Sequence, residues 1–425
     1  MNFFNSKSKK KIFIFSILLV VFYLLFELSK LLFVSYVKLI DYKTLLAKDY
    51  RGKNLPETQY LKVFLKKINI SKNNISKNNT SKKIIKNLPR GYNIDNKFLI
   101  EHVLNKIFIM YANGSSYYYN VSDLINSNKD KKIIINNNLK NIISTVGILD
   151  LLIHDNEIFI SHAEEDIKIK NCYNIVISKS SLNFKNIFFK EFFKTIDCDS
   201  HSKLDIGGGR MKFYLNDNKR KILLTTSDYS GKNAQNLNSS HGKILEVDLN
   251  NSSYEIFSSG HRNAQGLIVV DSNTILSTEH GPMGGDEINL IKKNANYGWN
   301  KASYGEPYIN FNINNEFLFN KDHSSLNFQE PIYAYTPAIG ISEIINVDRD
   351  FSPKWNENFL ITSLNGRSIY RVKFDKNYNK IITQEKIFVG ERIRDITSSN
   401  DGQIFFLALE DTGSIATISR KNFNN

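Results

Sequence analysis

The residues most able to do chemistry are concentrated in one run, 260–299. It reads Gly-His-Arg-Asn-Ala-Gln-Gly-Leu, then an apolar stretch, then Glu-His-Gly-Pro-Met-Gly-Gly-Asp-Glu-Ile-Asn, and after a gap Asn-Tyr-Gly-Trp. Arg262 and Asn263 stand just ahead of a strand-like run at 267–270, which puts a guanidinium and an amide at a strand mouth. Gly281 and Pro282 offer two carbonyl oxygens in a turn, and proline has no N–H to compete for them. Bare carbonyls suit a hard cation such as calcium. Each feature alone also reads as ordinary turn chemistry, with Arg262 buried against Asp286 or Glu287. Glycine-rich turns alternating with strand-like runs gather polar groups on a sheet scaffold.

The scaffold itself shows as a recurring pattern of apolar strand, Asn/Asp/Gly turn, apolar strand. It occurs at 106–120, 149–161, 211–226, 267–277, 344–363 and 396–407, with turn residues that tolerate positive φ. Six hairpins over about 325 residues leave about 54 residues per unit, a span that fits the four-stranded blades of a propeller. The spacing is irregular, so a pair of β-sandwiches fits the pattern too. The body is expected to be all-β, with 183–194 as its one helix candidate.

The formal net charge of +14 belongs to one end of the chain. Residues 1–100 hold 20 Lys and Arg against 5 Asp and Glu; residues 101–425 hold 36 against 37. A neutral body lacks the electrostatic footprint of a nucleic-acid binder. The basic arm begins with Lys7, Lys9, Lys10 and Lys11, followed by an apolar run at 12–26 and a second at 31–37. Spanning 12–37 would cross a bilayer, with Glu27 and Lys30 able to pair on one helix face. The basic flank predicts a cytoplasmic N-terminus. A cleaved signal peptide is the rival, but no small-x-small site follows Phe26. The expected organisation is a basic flank and inner-membrane anchor at 1–38, an Asn/Lys-rich linker at 39–97, and a periplasmic body at 98–425. The repeat at 68–83 has too little apolar surface to fold alone. Cys172 and Cys198 are the only cysteines. They exclude a cysteine-based zinc cluster, and either a disulfide or two buried thiols fits their spacing.

The run at 260–299 resembles the glucose/sorbosone dehydrogenase family, the soluble quinoproteins that use pyrroloquinoline quinone (PQQ). The resemblance rests on Gly-x-Arg-Asn-x-Gln-Gly-Leu, Glu-x-Gly-Pro and Asp-Glu-Ile-Asn. It extends over about 147–415 through Gly-Gly-Arg-Met at 208–211, His-Gly-Lys-Ile-Leu-Glu-Val-Asp at 241–248 and Arg-Ile-Arg-Asp at 392–395. It implies a six-bladed β-propeller with PQQ over the central channel and a calcium ion bridging cofactor and protein. The matching cofactor contacts are Arg262, Asn263, Arg392 and Arg394, and the matching metal ligands are the carbonyls of Gly281 and Pro282. PQQ carries three carboxylates, which Arg forks bind bidentately. Arg392 and Arg394, two apart, would face one side of a strand; without the resemblance they read as a solvated edge.

The implied chemistry is oxidation of a sugar or alcohol hydroxyl, with a histidine as base. The position matching that histidine is Ile206, which cannot accept a proton. His201 and Asp205 are the nearby substitutes, although His201 also reads as a surface residue. His261 and His280 lie inside the motifs, and they read equally as packing groups, as do His154 and His162. A cofactor-contacting lysine of the family falls near Asn365, where Arg367 could replace its charge. Two functions follow: a PQQ- and calcium-dependent sugar dehydrogenase, or a non-catalytic propeller that binds a ligand or a protein partner.

Overall fold

The computed structural model describes residues 64–68, 96–126, 132–142, 147–200, 207–216, 219–308 and 319–420. The expected membrane segment at 12–37 lies outside the described residues, as do His201, Asp205 and Ile206. No helix among the described residues is long and apolar enough to cross a membrane.

Strand β1 (Phe64–Ile68) comes first, and six sheets follow in chain order. The first holds β2 (Phe98–Val103), β3 (Lys106–Tyr111), β4 (Ser116–Asn120) and β5 (Ile133–Asn137). The second is built on β6 (Ile148–His154), β7 (Glu157–Glu165) and β8 (Cys172–Ser181). The chain then returns through β9 (Asn186–Ile187), parallel to β5, before β10 (Lys190–Lys194) and β11 (Asp199–Ser200) pair with β8. The third sheet is β12 (Gly208–Asn216), β13 (Lys219–Thr226), β14 (Lys243–Asp248) and β15 (Tyr254–Ser259). The fourth is β16 (Ala264–Asp271), β17 (Thr274–Glu279), β18 (Asp286–Ile291) and β19 (Tyr333–Tyr335). The fifth is β20 (Ile341–Asn346), β21 (Asn358–Ser363), β22 (Ser368–Phe374) and β23 (Ile381–Phe388). The sixth is β24 (Ile393–Ser398), β25 (Ile404–Leu409) and β26 (Ser414–Ser419), completed by β1.

The first strands of successive sheets adjoin one another, β2 to β6, β12, β16, β20, β24 and back to β2, so the sheets close a ring. This is the six-bladed β-propeller, and each expected hairpin falls in a different blade. Asp155 and Asn156, at φ 48° and 63°, make the left-handed turn that joins β6 to β7.

Each gap between neighbouring blades has its own apolar cluster. Phe98 and Ile100 meet Phe406 and Ile415 between the first and last blades. Leu152 and Ile177 meet Leu224 and Leu245 between the second and third. This packing explains why β25 reads Ile-Phe-Phe-Leu-Ala-Leu without alternation: all six residues are buried, because both faces meet a neighbouring sheet. Each fully buried Leu, Ile or Phe contributes about 1.5–3 kcal/mol.

Two expectations are revised, and the open alternative for the cysteines is resolved. Residues 183–194 form β9 and β10 rather than a helix. Asn183 Oδ1 accepts from the N–H groups of Lys185 and Asn186, which sets a turn where a helix would have to begin, and the edge of β8 then captures the aromatic run. The linker at 39–97 is not wholly outside the body: Phe64–Ile68 runs antiparallel to β26 from Phe64 opposite Ser419 to Ile68 opposite Ile415. The cysteines are bonded, Cys172 to Cys198 across 26 residues, tying β8 to the segment that reaches β11. On the chain-entropy account a loop of that size contributes about 3–4 kcal/mol.

Candidate cofactor chamber at the ring axis

The openings of the innermost strands converge over one end of the axis. Lys97 precedes β2, Leu149 lies in β6, Gly207 precedes β12, Asn263 precedes β16, and Arg392 and Arg394 open β24. Together they line a chamber of about 200 Å³. Glycine is required here by close approach. A Cβ on Gly207 would sit 2.2 Å from Asn263 Oδ1, and one on Gly209, at φ 81°, 2.5 Å from Leu149 Cβ. Asn263 is fixed at three points. Its Oδ1 accepts from Gly208 N–H at 2.9 Å and Gln265 Nε2 at 2.8 Å, and its Nδ2 donates to the Tyr229 hydroxyl at 2.5 Å.

The chamber has a surplus of positive charge. Arg394 grips Glu410, with Nε at 2.8 Å and a terminal nitrogen at 2.7 Å. Arg392 reaches the same carboxylate only at 3.8 Å, and its buried Nε has no hydrogen-bond partner. Burial pushes the Glu410 carboxyl up, but Arg394, Arg392 and Lys97 outweigh it and hold it below the usual glutamate value. One carboxylate thus faces three cations, an arrangement suited to an anionic ligand.

Beside the chamber, Arg210 of β12 forms a hub between blades. One terminal nitrogen lies 2.7 Å from Asp150 of β6, 2.8 Å from Glu343 of β20 and 3.3 Å from Asp395 of β24. Its Nε donates to the Gln265 carbonyl of β16 at 2.9 Å. Asp395 in turn accepts from Ile100 N–H of β2 at 2.9 Å, so all six innermost strands meet at one buried cluster. Burial lifts Asp150 to about 6 and Glu101 of β2 to about 8; Asp395, Asp150 and Glu343 add repulsion at Glu101 that Lys212 opposes. A raised carboxyl makes the folded state hold a proton that the unfolded chain releases above about 4.5, so its stability falls as pH rises from there to about 8. Glu101→Gln should remove that loss. In urea unfolding, its midpoint should match the parent near pH 5 and exceed it at pH 8; an equal offset at both would contradict the assignment.

Arg262 sits in an adjoining, much smaller cavity that it shares with Gly281 and Pro282, and His280 borders both spaces. Its guanidinium lies over the Tyr229 ring at 4.7 Å and the Trp299 ring at 5.3 Å. It does not pair with Asp286 or Glu287. It donates to the His280 carbonyl at 3.1 Å and the Gly281 carbonyl at 2.7 Å, while the Tyr308 hydroxyl donates to the Pro282 carbonyl at 3.1 Å. Neither expected calcium ligand is bare, and the Gly281 carbonyl already carries the Arg262 guanidinium. No group of three His, Cys, Asp or Glu able to hold a metal occurs among the described residues. The donor set does not fit calcium.

Ser258, His261 and Glu279 form a line of hydrogen bonds, 2.8 Å from Ser258 Oγ to His261 Nε2 and 2.9 Å from His261 Nδ1 to Glu279. All three are buried, and Glu279 also accepts from the Arg262 and Asn263 backbone N–H groups. The line therefore holds the Arg262–Asn263 turn in place. His280 Nε2 donates to the Ile341 carbonyl at 2.5 Å, which leaves Nδ1 as its acceptor. His154 stacks on Phe213 and His162 bonds Ser178, both as packing groups. Asn365 is exposed, and Arg367 pairs with Asp411 at 3.0 Å rather than entering the chamber. The family's lysine charge is not restored from that loop. Lys97, Arg210, Tyr229 and Glu410 are the functional residues that sequence reasoning missed.

The Glucose / Sorbosone dehydrogenase family profile matches residues 125–417. The chain is similar to the aldose sugar dehydrogenase YliI of Escherichia coli, 28% identical over 51% of this chain and 60% of that protein. It is 24% identical to quinoprotein glucose dehydrogenase B of Acinetobacter calcoaceticus over 50% of this chain and 56% of that protein. The chain thus spans about half the length of the curated relatives it matches. In fold it superposes on the apo form of the soluble aldose sugar dehydrogenase of E. coli with a TM-score of 0.62, at 19% identity, over 77% of this chain and 97% of that one.

Proposed function

The chain belongs to the glucose/sorbosone dehydrogenase family, and from that premise we propose that it is a PQQ-dependent oxidoreductase acting on a sugar or alcohol hydroxyl. The observation that carries this reading is the chamber in which Lys97, Arg392 and Arg394 face a single carboxylate, Glu410. Kinship with a quinoprotein glucose dehydrogenase supports the cofactor, and kinship with an aldose sugar dehydrogenase supports the substrate class.

Bound PQQ would supply the oxidant, accepting a hydride from the substrate carbon. The chain supplies position and electrostatics. Arg392, with its unpartnered Nε, and Arg394, held rigid by Glu410, would grip carboxylates. Asn263 and Tyr229, bonded to each other, shape the wall between chamber and small cavity. His280 lines the chamber with Nε2 spent on the Ile341 carbonyl, so its Nδ1 is our candidate acceptor for a hydroxyl proton. We assign no step to calcium. Outside the described residues, we place an anchor at 12–37 in the inner membrane and the body in the periplasm; the Cys172–Cys198 bond supports an oxidising compartment.

Micromolar PQQ should bind the purified protein and shift its visible spectrum, equally in EDTA and in calcium. Arg392→Met should weaken binding about 10- to 100-fold, the loss of one charge-assisted contact. Absence of binding to the parent would remove the quinone reading. A second reading, a non-catalytic propeller that binds a ligand or partner, is favoured by isoleucine at the family's base position, Ile206. Bound PQQ with no dye reduction across a panel of aldoses would select it.

A further inference from the structure

Lys97 is the chamber cation that the family resemblance does not account for. It lies one residue before β2 and lines the chamber wall with Arg392 and Arg394. Among the described residues its ammonium group has no hydrogen-bond or ion-pair partner, whereas Arg394 holds Glu410 and Arg210 holds three carboxylates. An amine in a confined space beside guanidinium groups is disfavoured as a cation, because the nearby Glu410 and Asp150 carboxylates only partly compensate it. An incoming carboxylate would supply that compensation.

We propose that Lys97 is the carboxylate receptor of the chamber, and that a polycarboxylate ligand, the quinone of the function proposed above, enters together with one proton taken up from solvent by the Lys97 amine. This rests on that functional reading and extends it. It also restores, from the first blade, the lysine charge missing at Asn365 and not replaced by Arg367.

The charged surroundings agree. Burial first, then Arg394 and Arg210, bring Lys97 down to about 7 against the opposing pull of Glu410 and Asp150. Tyr229, Arg392 and His280 complete the titratable lining. In the free protein the amine is therefore largely neutral at pH 8.5. A carboxylate against it reverses the neighbouring field, and the amine gains a proton to become ammonium. Nothing else in the step is made or broken. Linkage sets the sign: affinity falls as pH rises above the free amine's value, by up to about tenfold per pH unit, and Lys97 adds no pH dependence below about pH 6, where it is an ammonium in both states.

The test is calorimetric titration of the full chain with PQQ in pairs of buffers of different ionisation enthalpy. Uptake should be about one proton per PQQ at pH 8.5 and about none at pH 5.5. Lys97→Met should abolish the uptake and weaken binding at pH 6 by on the order of tenfold. Lys97→Arg should bind at all pH values without uptake, which a merely structural role would not produce. Uptake unchanged in Lys97→Met, or none in the parent, would overturn the proposal while leaving the PQQ reading intact. Benzene-1,3,5-tricarboxylate serves as the second probe. Should PQQ fail but this tricarboxylate bind with Lys97-dependent uptake, the quinone reading falls and the receptor role stands. Failure of both anions overturns both.

Discussion

Arg210→Met should lower the melting temperature by about 10 °C, the largest effect expected of any single substitution. The guanidinium is the common partner of Asp150, Glu343 and Asp395, all three buried, and it also donates to the Gln265 carbonyl. Methionine keeps much of the bulk and leaves three carboxyls facing one another. Removing one partner of a buried ion pair costs about 3–5 kcal/mol. At about 2–4 °C per kcal/mol, the figure for domains of about 150–250 residues, that is a shift of roughly 6–20 °C. The carboxyls can relieve part of it by taking protons, so the loss should be smaller at pH 5 than at pH 8. A melting temperature within about 2 °C of the parent at pH 8 would show that the hub does not hold the ring. Arg210→Lys is the informative companion. It keeps the charge but cannot span several carboxylates and a carbonyl at once, so an intermediate loss is expected.

Removal of β1 should be nearly as damaging. Two truncations separate its role from that of the residues before it. A chain beginning at Tyr60 keeps Phe64–Ile68, and one beginning at Ser71 lacks it. The first should unfold cooperatively near the parent's midpoint. The second loses five residue pairs of ladder against β26, the Lys66 bond to the Ile125 carbonyl and the Lys67 pair with Glu391. At about 1 kcal/mol net per hydrogen bond the loss is on the order of 5 kcal/mol. It also bares the edge of β26, whose residues are otherwise all buried, and a bare apolar edge invites pairing between chains. Light scattering and urea midpoints would read both effects. Equal midpoints for the two truncations would mean that the sixth blade stands on three strands.

The hairpins were legible because their signal is local. A turn such as Asp155–Asn156 needs left-handed backbone, and Asn and Asp supply it wherever they stand. The family motifs were legible for the same reason: each is a contiguous turn. What escaped depends on distant partners. β1 reads Phe-Leu-Lys-Lys-Ile beside a low-complexity repeat, and its partner is at the other end of the chain. Lys97 lies at the boundary drawn between linker and body, one lysine among many. Only the closing of the ring sets it beside Arg394. The capping of Gly281 and Pro282 was equally hidden. A carbonyl in a turn looks bare until a hydroxyl such as Tyr308, 26 residues on, folds back over it.

The pairing of Phe64 with Ser419 also sets an order of events. Among the described strands the one made earliest must wait for the one made latest, since its partner follows about 350 residues later. No nascent fragment that lacks β26 can complete the circle, so the ring closes only once that strand has been made. Until then the edge of β1 is open to any chaperone, or to any neighbouring copy, that reaches it first.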